Sequence, residues 1–355
     1  MPEKNEPQDN GARGPAHDVA VLGGGSFGTA MAKVLGENGH RVHFWMRDEA
    51  QVEEIQNTRV NSRYMPDVEL SGDILPTTDL AGAVDRAEVV FVAIPSKAFR
   101  AVIREHSDEF RDGQIVVSLT KGIEERGFKL MSEILQEEIP RCRIGVLSGP
   151  NLAGEIVNRD LTATVIAAKD PDVRRTVQDL LGCEYFRVYA NVDIYGVELA
   201  GALKNIYAIV SGLATALDMG ENAKAMLITR GLAEMSRFAV SLGANPMTFM
   251  GLAGVGDLIV TCTSSKSRNY RVGYAVGKGK NLDDAVAELG QVAEGIYTLK
   301  LVQEKSSDIG IYMPLVRGLY EILYGTASIS AVINSLMMAV QNSDVEFILP
   351  RTISE

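Results

Sequence analysis

Histidine is nearly missing from this chain. Its 355 residues carry four, His17, His40, His43 and His106, all in the first third. The rest of the chain therefore has no side chain that titrates near neutrality unless its surroundings shift it. Cysteine is equally sparse: Cys142, Cys183 and Cys262 lie far apart and form no CxxC. That excludes a disulfide framework and a zinc cluster, fits a reduced cytoplasmic setting, and leaves no metal to expect. Positive charge is in deficit, at a net −11, which argues against nucleic acid as a main partner while allowing a local basic pocket. An apolar leader is missing too. Residues 1–17, MPEKNEPQDNGARGPAH, are polar and rich in Pro and Gly, and read as a disordered tail. No membrane span is expected. The one long apolar run, Val197 to Leu217, holds Glu198, Lys204 and Asn205, and a central charge costs about 2.5–3.5 kcal/mol on insertion. A buried helix suits it better.

What is present points to two domains. Hydrophobic residues make up 46% and charged residues 23%, an ordinary globular balance with ample core for both. Asp18-Val-Ala-Val-Leu22 reads as a strand, Gly23-Gly-Gly-Ser-Phe-Gly28 as a turn, and Thr29 to Asn38 as a helix stopped by Gly39-His40. Arg41-Val-His-Phe-Trp45 is the next strand, completing a βαβ unit whose strands run parallel. Further strands are expected at Glu88–Ile94, Ile115–Leu119, Ile144–Leu147 and Thr162–Ala168. The fold class is therefore α/β: a Rossmann-type doubly wound sheet over residues 18–191, then an all-α domain over 192–345 and a tail at 346–355. The second domain centres on one long helical stretch, Val197 to Asn222.

Gly23, Gly25 and Gly28 form a GxGxxG between strand and helix, the context a dinucleotide fingerprint requires. The glycines permit a tight turn, backbone approach to the pyrophosphate and close helix–strand packing. At the end of the second strand, where an acid grips the ribose of NAD, the chain reads Trp45-Met46-Arg47-Asp48. Arg47 suits the 2′-phosphate of NADPH; the competing reading has Asp48 select NADH and leaves Arg47 in solvent. The cofactor is NADPH, NADH or both.

With no histidine in the helical domain, a lysine can serve as the acid–base group, since burial lowers its pKa toward neutrality. Lys204 lies in the apolar stretch, and Lys121 in Ser118-Leu-Thr-Lys-Gly122 follows a strand on the crevice side. Either alone is open to a structural reading; together they flank the cofactor site. A polar cluster comes later. Asp257 and Thr261 are one helical turn apart, while Ser267, Arg268 and Asn269 combine groups suited to a phosphate. A polar loop between helices is the alternative. A second polar loop, Ser148-Gly-Pro-Asn151, follows the Ile144–Leu147 strand. Cys262 has no histidine in its domain to activate it and reads as buried structure.

The chain resembles the NAD(P)-dependent glycerol-3-phosphate dehydrogenases of bacterial type. The resemblance rests on GGGSFGTA at 23–30, LTKG at 119–122, SGPNLAGE at 148–155, GALKNIYAI at 201–209, ITRGLAEMSR at 228–237, GDLIVTCTSSKSRN at 256–269 and GQVAEG at 290–295. It implies reversible reduction of dihydroxyacetone phosphate to sn-glycerol 3-phosphate, which feeds glycerophospholipid synthesis. Lys204 would accept the proton during oxidation, oriented by Asn205, Asp257 and Thr261, with Lys121 touching substrate and cofactor. Gly149, Asn151, Asp257, Ser267, Arg268 and Asn269 would line the substrate site. Ser26, Phe27, Arg47, Ala153, Arg268, Val292 and Glu294 would join the cofactor site. Two departures stand out: Asn151 replaces a usual hydroxyl residue, and Thr215-Ala216 replaces an acid–glycine pair. A β-hydroxyacid dehydrogenase and a redox-sensing NAD(P)H-binding protein remain as alternatives. A homodimer is expected, with the apolar helix Ala331–Val340 among the faces available to it.

Overall fold

The computed structural model describes residues 15–289 and 293–338. Val292, the tail at 346–355, residues 1–14 of the N-terminal tail and the end of the Ala331–Val340 stretch lie outside them. The chain opens with β1 (Asp18–Leu22), α1 (Ser26–Glu37), β2 (Arg41–Trp45) and α2 (Glu49–Thr58). A hairpin of β3 (Val60–Asn61) and β4 (Met65–Glu69) precedes β5 (Ile74–Thr77), α3 (Leu80–Arg86) and β6 (Val89–Val92). Next come α4 (Ser96–Glu105), β7 (Ile115–Ser118) and a small hairpin of β8 (Ile123–Glu124) and β9 (Lys129–Leu130). The sheet domain finishes with α5 (Met131–Glu138), β10 (Arg143–Ser148), α6 (Ala153–Val157), β11 (Thr162–Ala167), α7 (Pro171–Leu181) and β12 (Phe186–Asn191).

Eight strands form one sheet in the order β12-β11-β10-β7-β6-β1-β2-β5. From β1 the chain steps outward to β2 and β5, then returns to the other side through β6 and β7. The glycine turn thus sits at the topological switch point, where a doubly wound sheet opens its ligand crevice. Alternate residues serve the two faces. Val19 and Val21 pack with α1 and α7, whereas Ala20 and Leu22 pack with Phe99, Ile103 and Ile134. The sheet is parallel except at one pairing: β11 runs antiparallel to β10. The five-residue α6 spans about 7.5 Å, well short of a six-residue strand of about 20 Å, so the chain doubles back. His17, assigned to the tail by composition, instead extends the ladder: its carbonyl accepts from Arg41 N at 3.0 Å.

The rest is helical: α8 (Ile194–Ala216), α9 (Glu221–Ser241), α10 (Asp257–Thr263), α11 (Arg268–Gly277), α12 (Leu282–Leu289), α13 (Glu294–Asp308), α14 (Pro314–Tyr324) and α15 (Ile329–Met337). The long helix expected from Val197 to Asn222 begins earlier, at Ile194, and does not continue to Asn222. It ends at Leu217, where Asp218 turns left-handed (φ 55°) and Gly220 caps α9. Among the described helices α8 alone is long and apolar enough to cross a membrane, yet 89% of its most apolar window is buried within the protein. The close packing of α8 has a specific cause. A Cβ on Gly212 would lie 1.9 Å from the Tyr270 carbonyl oxygen, and one on Gly273 would lie 1.9 Å from that of Ile209. Backbones of α8 and α11 touch through these glycines. At the next turn the Ala216 methyl fills the space opposite Gly277, so glycine on α11 keeps the approach where α8 carries alanine.

Two buried glutamates complete other helices. Glu198 on α8 accepts from Ser132 N (2.9 Å) and Oγ (2.5 Å) at the start of α5. Glu234 on α9 accepts from Leu315 N (2.7 Å) and Val316 N (3.3 Å) at the start of α14. Each satisfies amides that a helix N-terminus leaves free, and burial pushes both carboxyls up to about 7. Gly273→Ala should cost about 2–3 kcal/mol by overpacking and displace the start of α11. Denaturant unfolding measures the first effect, and a raised KM for the substrate bound there reports the second.

Candidate active site

The crevice is built from the carboxyl ends of β1, β6, β7 and β10 on one side and from α8, α10, α11 and α13 on the other. After β7, the Thr120 hydroxyl donates to the Ile94 carbonyl (2.7 Å) and pins the loop that carries Lys121. After β10, Gly149 takes a positive φ of 153° and presents its carbonyl to Lys121. On the helical side, a π-helical turn at Leu252–Gly256 runs straight into α10. Such a turn shifts the face on which the next residue emerges, and Asp257 is that residue.

Asp257 is fully buried and faces both lysines. Lys121 Nζ donates to its Oδ2 (2.7 Å) and to the Gly149 carbonyl (2.9 Å). Lys204 Nζ donates to the Asp257 Oδ1 and to Thr261 Oγ1 (2.6 Å), and the Thr261 hydroxyl in turn donates to the Asp257 carbonyl (2.6 Å). Burial lowers the Lys204 pKa to about 7; Asp257 opposes that shift and Lys121 reinforces it. A lysine poised there can give or take a proton at neutral pH. Nothing from Thr215-Ala216 enters its set of contacts: Thr215 donates to Ser211 O (3.0 Å) and the Ala216 carbonyl accepts from Lys278 (2.7 Å).

A second cluster lies alongside. Asn205 does not bond Lys204; its Oδ1 accepts from Asn269 Nδ2 (2.9 Å), whose own Oδ1 accepts from Gly295 N (3.0 Å). Ser267 caps α11, its hydroxyl accepting from Tyr270 N at 3.3 Å. Arg268 remains accessible to solvent, yet the crowding around its guanidinium lowers its pKa, with Glu294 the main opposing charge. Glu294 accepts from Ser96 Oγ (2.9 Å) across the crevice, and burial raises its carboxyl. Asn151 Nδ2 donates to Thr164 Oγ1 (3.0 Å), while Asn151 Oδ1 and the neighbouring Ser148 Oγ are buried without partners. Orphaned polar atoms at the mouth of β10 fit a polar ligand.

The glycine turn fits a dinucleotide. A Cβ on Gly25 would meet nothing within 4 Å, leaving open space before α1, whereas one on Gly28 would lie 2.0 Å from the Gly23 carbonyl oxygen. Ser26 and Phe27 begin α1, and Ala153 begins α6, which packs against α1. Arg47 is exposed two residues past Trp45, whose carbonyl accepts from Gly23 N (2.9 Å). Asp48 caps α2, accepting from Ala50 N at 3.1 Å. Three of the histidines gather at the opposite end of the sheet, where His17 pairs with Glu88 and His43 with Asp18. Sequence reasoning missed Ser96, Thr164, Gln51 and Asn61. Ser96 alone left a signal, since it follows a strand on the crevice side.

A Rossmann-type sheet with a glycine turn at its switch point, facing a helical wall that supplies a buried lysine, defines a two-domain dinucleotide-dependent dehydrogenase. The model of the NAD-dependent glycerol-3-phosphate dehydrogenase N-terminus matches residues 18–174, and that of its C-terminus matches 193–334. The chain belongs to this family. It is 58% identical over 330 residues to a glycerol-3-phosphate dehydrogenase [NAD(P)+] of Pseudomonas syringae pv. tomato, covering 93% of this chain and 96% of that one. The crystal structure of glycerol-3-phosphate dehydrogenase from Coxiella burnetii superposes with a TM-score of 0.87 at 35% identity, over 91% of this chain and 99% of that one. The yeast enzyme from Saccharomyces cerevisiae gives 0.80 at 28% identity, over 90% and 99%.

Proposed function

We propose that this chain reduces dihydroxyacetone phosphate reversibly to sn-glycerol 3-phosphate with NAD(P)H, in the cytoplasm, as a supplier of the glycerophospholipid backbone. Family membership supports the activity. The observation that carries the chemistry is the bridge from Lys204 through Asp257 to Lys121, which joins the two sides of the crevice. A bound reduced nicotinamide supplies the hydride to C2 of the triose. In this reading Lys204 gives its proton to the C2 oxygen during reduction and takes it back during oxidation. Asp257 and Thr261 hold the amine, and Asn205 braces Asn269 behind the substrate. Lys121 places positive charge beside substrate and cofactor. Gly149 and Asn151 line the substrate on the sheet side, and Ser267, Arg268 and Asn269 hold its phosphate. That grip on a group remote from C2 positions the carbonyl. Gly23, Gly25, Ser26, Phe27 and Gly28 cradle the pyrophosphate, with Ala153, Arg268 and Glu294 along the rest of the cofactor and Arg47 on the 2′-phosphate of NADPH. Residues 18–191 and 192–345 act as the two domains.

Lys204→Ala should cut kcat by about 10²–10⁴-fold, the scale of a lost general acid, with cofactor affinity retained; near-normal turnover would refute the assignment. Oxidation needs the neutral amine and reduction the ammonium. With the Lys204 pKa lowered to about 7, kcat/KM for oxidation should rise and that for reduction should fall as pH passes through this value. Reduction of dihydroxyacetone phosphate assayed with each cofactor tests the Arg47 reading. NADPH should be favoured, and Arg47→Ala should erase the preference; a strong NADH preference untouched by that change overturns it.

We further propose a homodimer that uses α15, none of whose residues is buried and whose end exposes Met337 and Met338. Sedimentation should give twice the chain mass, and Met337→Glu should shift it toward the monomer. A monomeric wild type would end the proposal.

A further inference from the structure

The hairpin β3–β4 has no part in the chemistry, yet it is bolted to the glycine turn. The Gly24 carbonyl accepts from Gln51 Nε2 (2.8 Å) and from Asn61 Nδ2 (3.0 Å). Asn61 is fully buried, and its amide also donates to Thr29 Oγ1 (2.8 Å) and accepts from Gln51 (3.0 Å). These bonds draw one carbonyl of the turn away from the crevice and fix the hairpin's tip, residues 62–64, beside it. Tyr64 at that tip packs on the sheet core. The tip therefore sits beside the glycine turn, at the end of the crevice that would take the cofactor.

Arg63 is the cation on this tip. Its guanidinium carbon stands 5.5 Å from the centre of the Tyr64 ring, and its Nη1 lies 3.9 Å from Asp48 Oδ2. Asp48 follows Arg47 directly and uses its other oxygen to cap α2. One carboxylate, already committed to a helix, thus shares a corner with two exposed guanidiniums, Arg47 and Arg63. The Arg63–Asp48 contact is long and both partners are more than half exposed, so it holds little energy. A phosphate dianion offers a guanidinium three acceptor oxygens and twice the charge, and displaces such a contact.

We propose that Arg63 is a second specificity-determining arginine, closing on the 2′-phosphate of NADPH from the hairpin while Arg47 meets it from the end of β2. This rests on the NADPH reading above. In the bound state Arg63 leaves Asp48 for the phosphate, and the Asn61 anchor keeps the hairpin at the height that allows the exchange.

Calorimetric titration of the full-length enzyme with 2′,5′-ADP and with ADP tests the assignment without turnover. Arg63→Ala should weaken 2′,5′-ADP about 10-fold while ADP stays within about twofold, as expected when one charge-assisted hydrogen bond is removed. Arg63→Lys should recover part of that affinity, and the salt dependence of 2′,5′-ADP binding should flatten in Arg63→Ala. Equal weakening of both ligands, or no weakening, overturns the proposal. Arg47→Ala separates it from the reading beneath it: selective weakening there with none at Arg63 leaves the NADPH reading standing and removes Arg63. A wild type that binds the two ligands equally overturns both.

Discussion

Asp257 is the constraint around which the crevice is arranged. A carboxylate with no solvent exposure costs several kcal/mol unless it is paired and fully hydrogen-bonded. Here it finds two lysines, one from each side of the crevice. Burial is what chiefly makes Lys204 the lysine that loses its proton easily; Asp257 opposes that shift, and the second ammonium, Lys121, adds to it. Two lysines against one carboxylate favour an anionic ligand.

The bridge depends on elements distant in sequence. Lys121 needs the β7 loop pinned by Thr120, Asp257 needs the π-helical turn before α10, and Lys204 needs α8 buried to the core. Buried carboxylates elsewhere, Glu198 and Glu234, cap the starts of neighbouring helices. Where histidine is scarce, burial of Lys and Glu supplies the groups that titrate near neutrality.

Much of this was legible in the sequence because it is periodic or local. The GxGxxG between an apolar strand and a helix, the shift to helical spacing near Val192, and the four-residue step from Asp257 to Thr261 carry their geometry with them. The reversal at β11 was not legible, since it depends on α6 being too short to cross the sheet. Nor was the break at Asp218, where an ordinary polar residue adopts a left-handed backbone. Asn205 was assigned to the lysine beside it in sequence, yet it bonds Asn269, because successive helical residues point to different faces. The anchoring of Gly24 by Asn61 spans 37 residues, and no spacing rule announces such a contact.

The glycine contacts between α8 and α11 also have a mechanical consequence. Backbones that touch cannot slide or rotate past one another without collision, so Lys204 and the Ser267–Asn269 corner behave as one stiff body. The contacts that cross from the sheet side to this body are of two kinds: polar bonds between side chains, such as Lys121 to Asp257, Ser96 to Glu294 and Lys266 to Glu155, and an apolar seam that sets Val165 and Ala167 against Val197 and Ala253. Polar bonds of that kind can be exchanged for water or ligand, whereas touching backbones cannot. A hinge along the crevice would have to part that apolar seam as well as the polar bonds, with the helical domain moving as one piece.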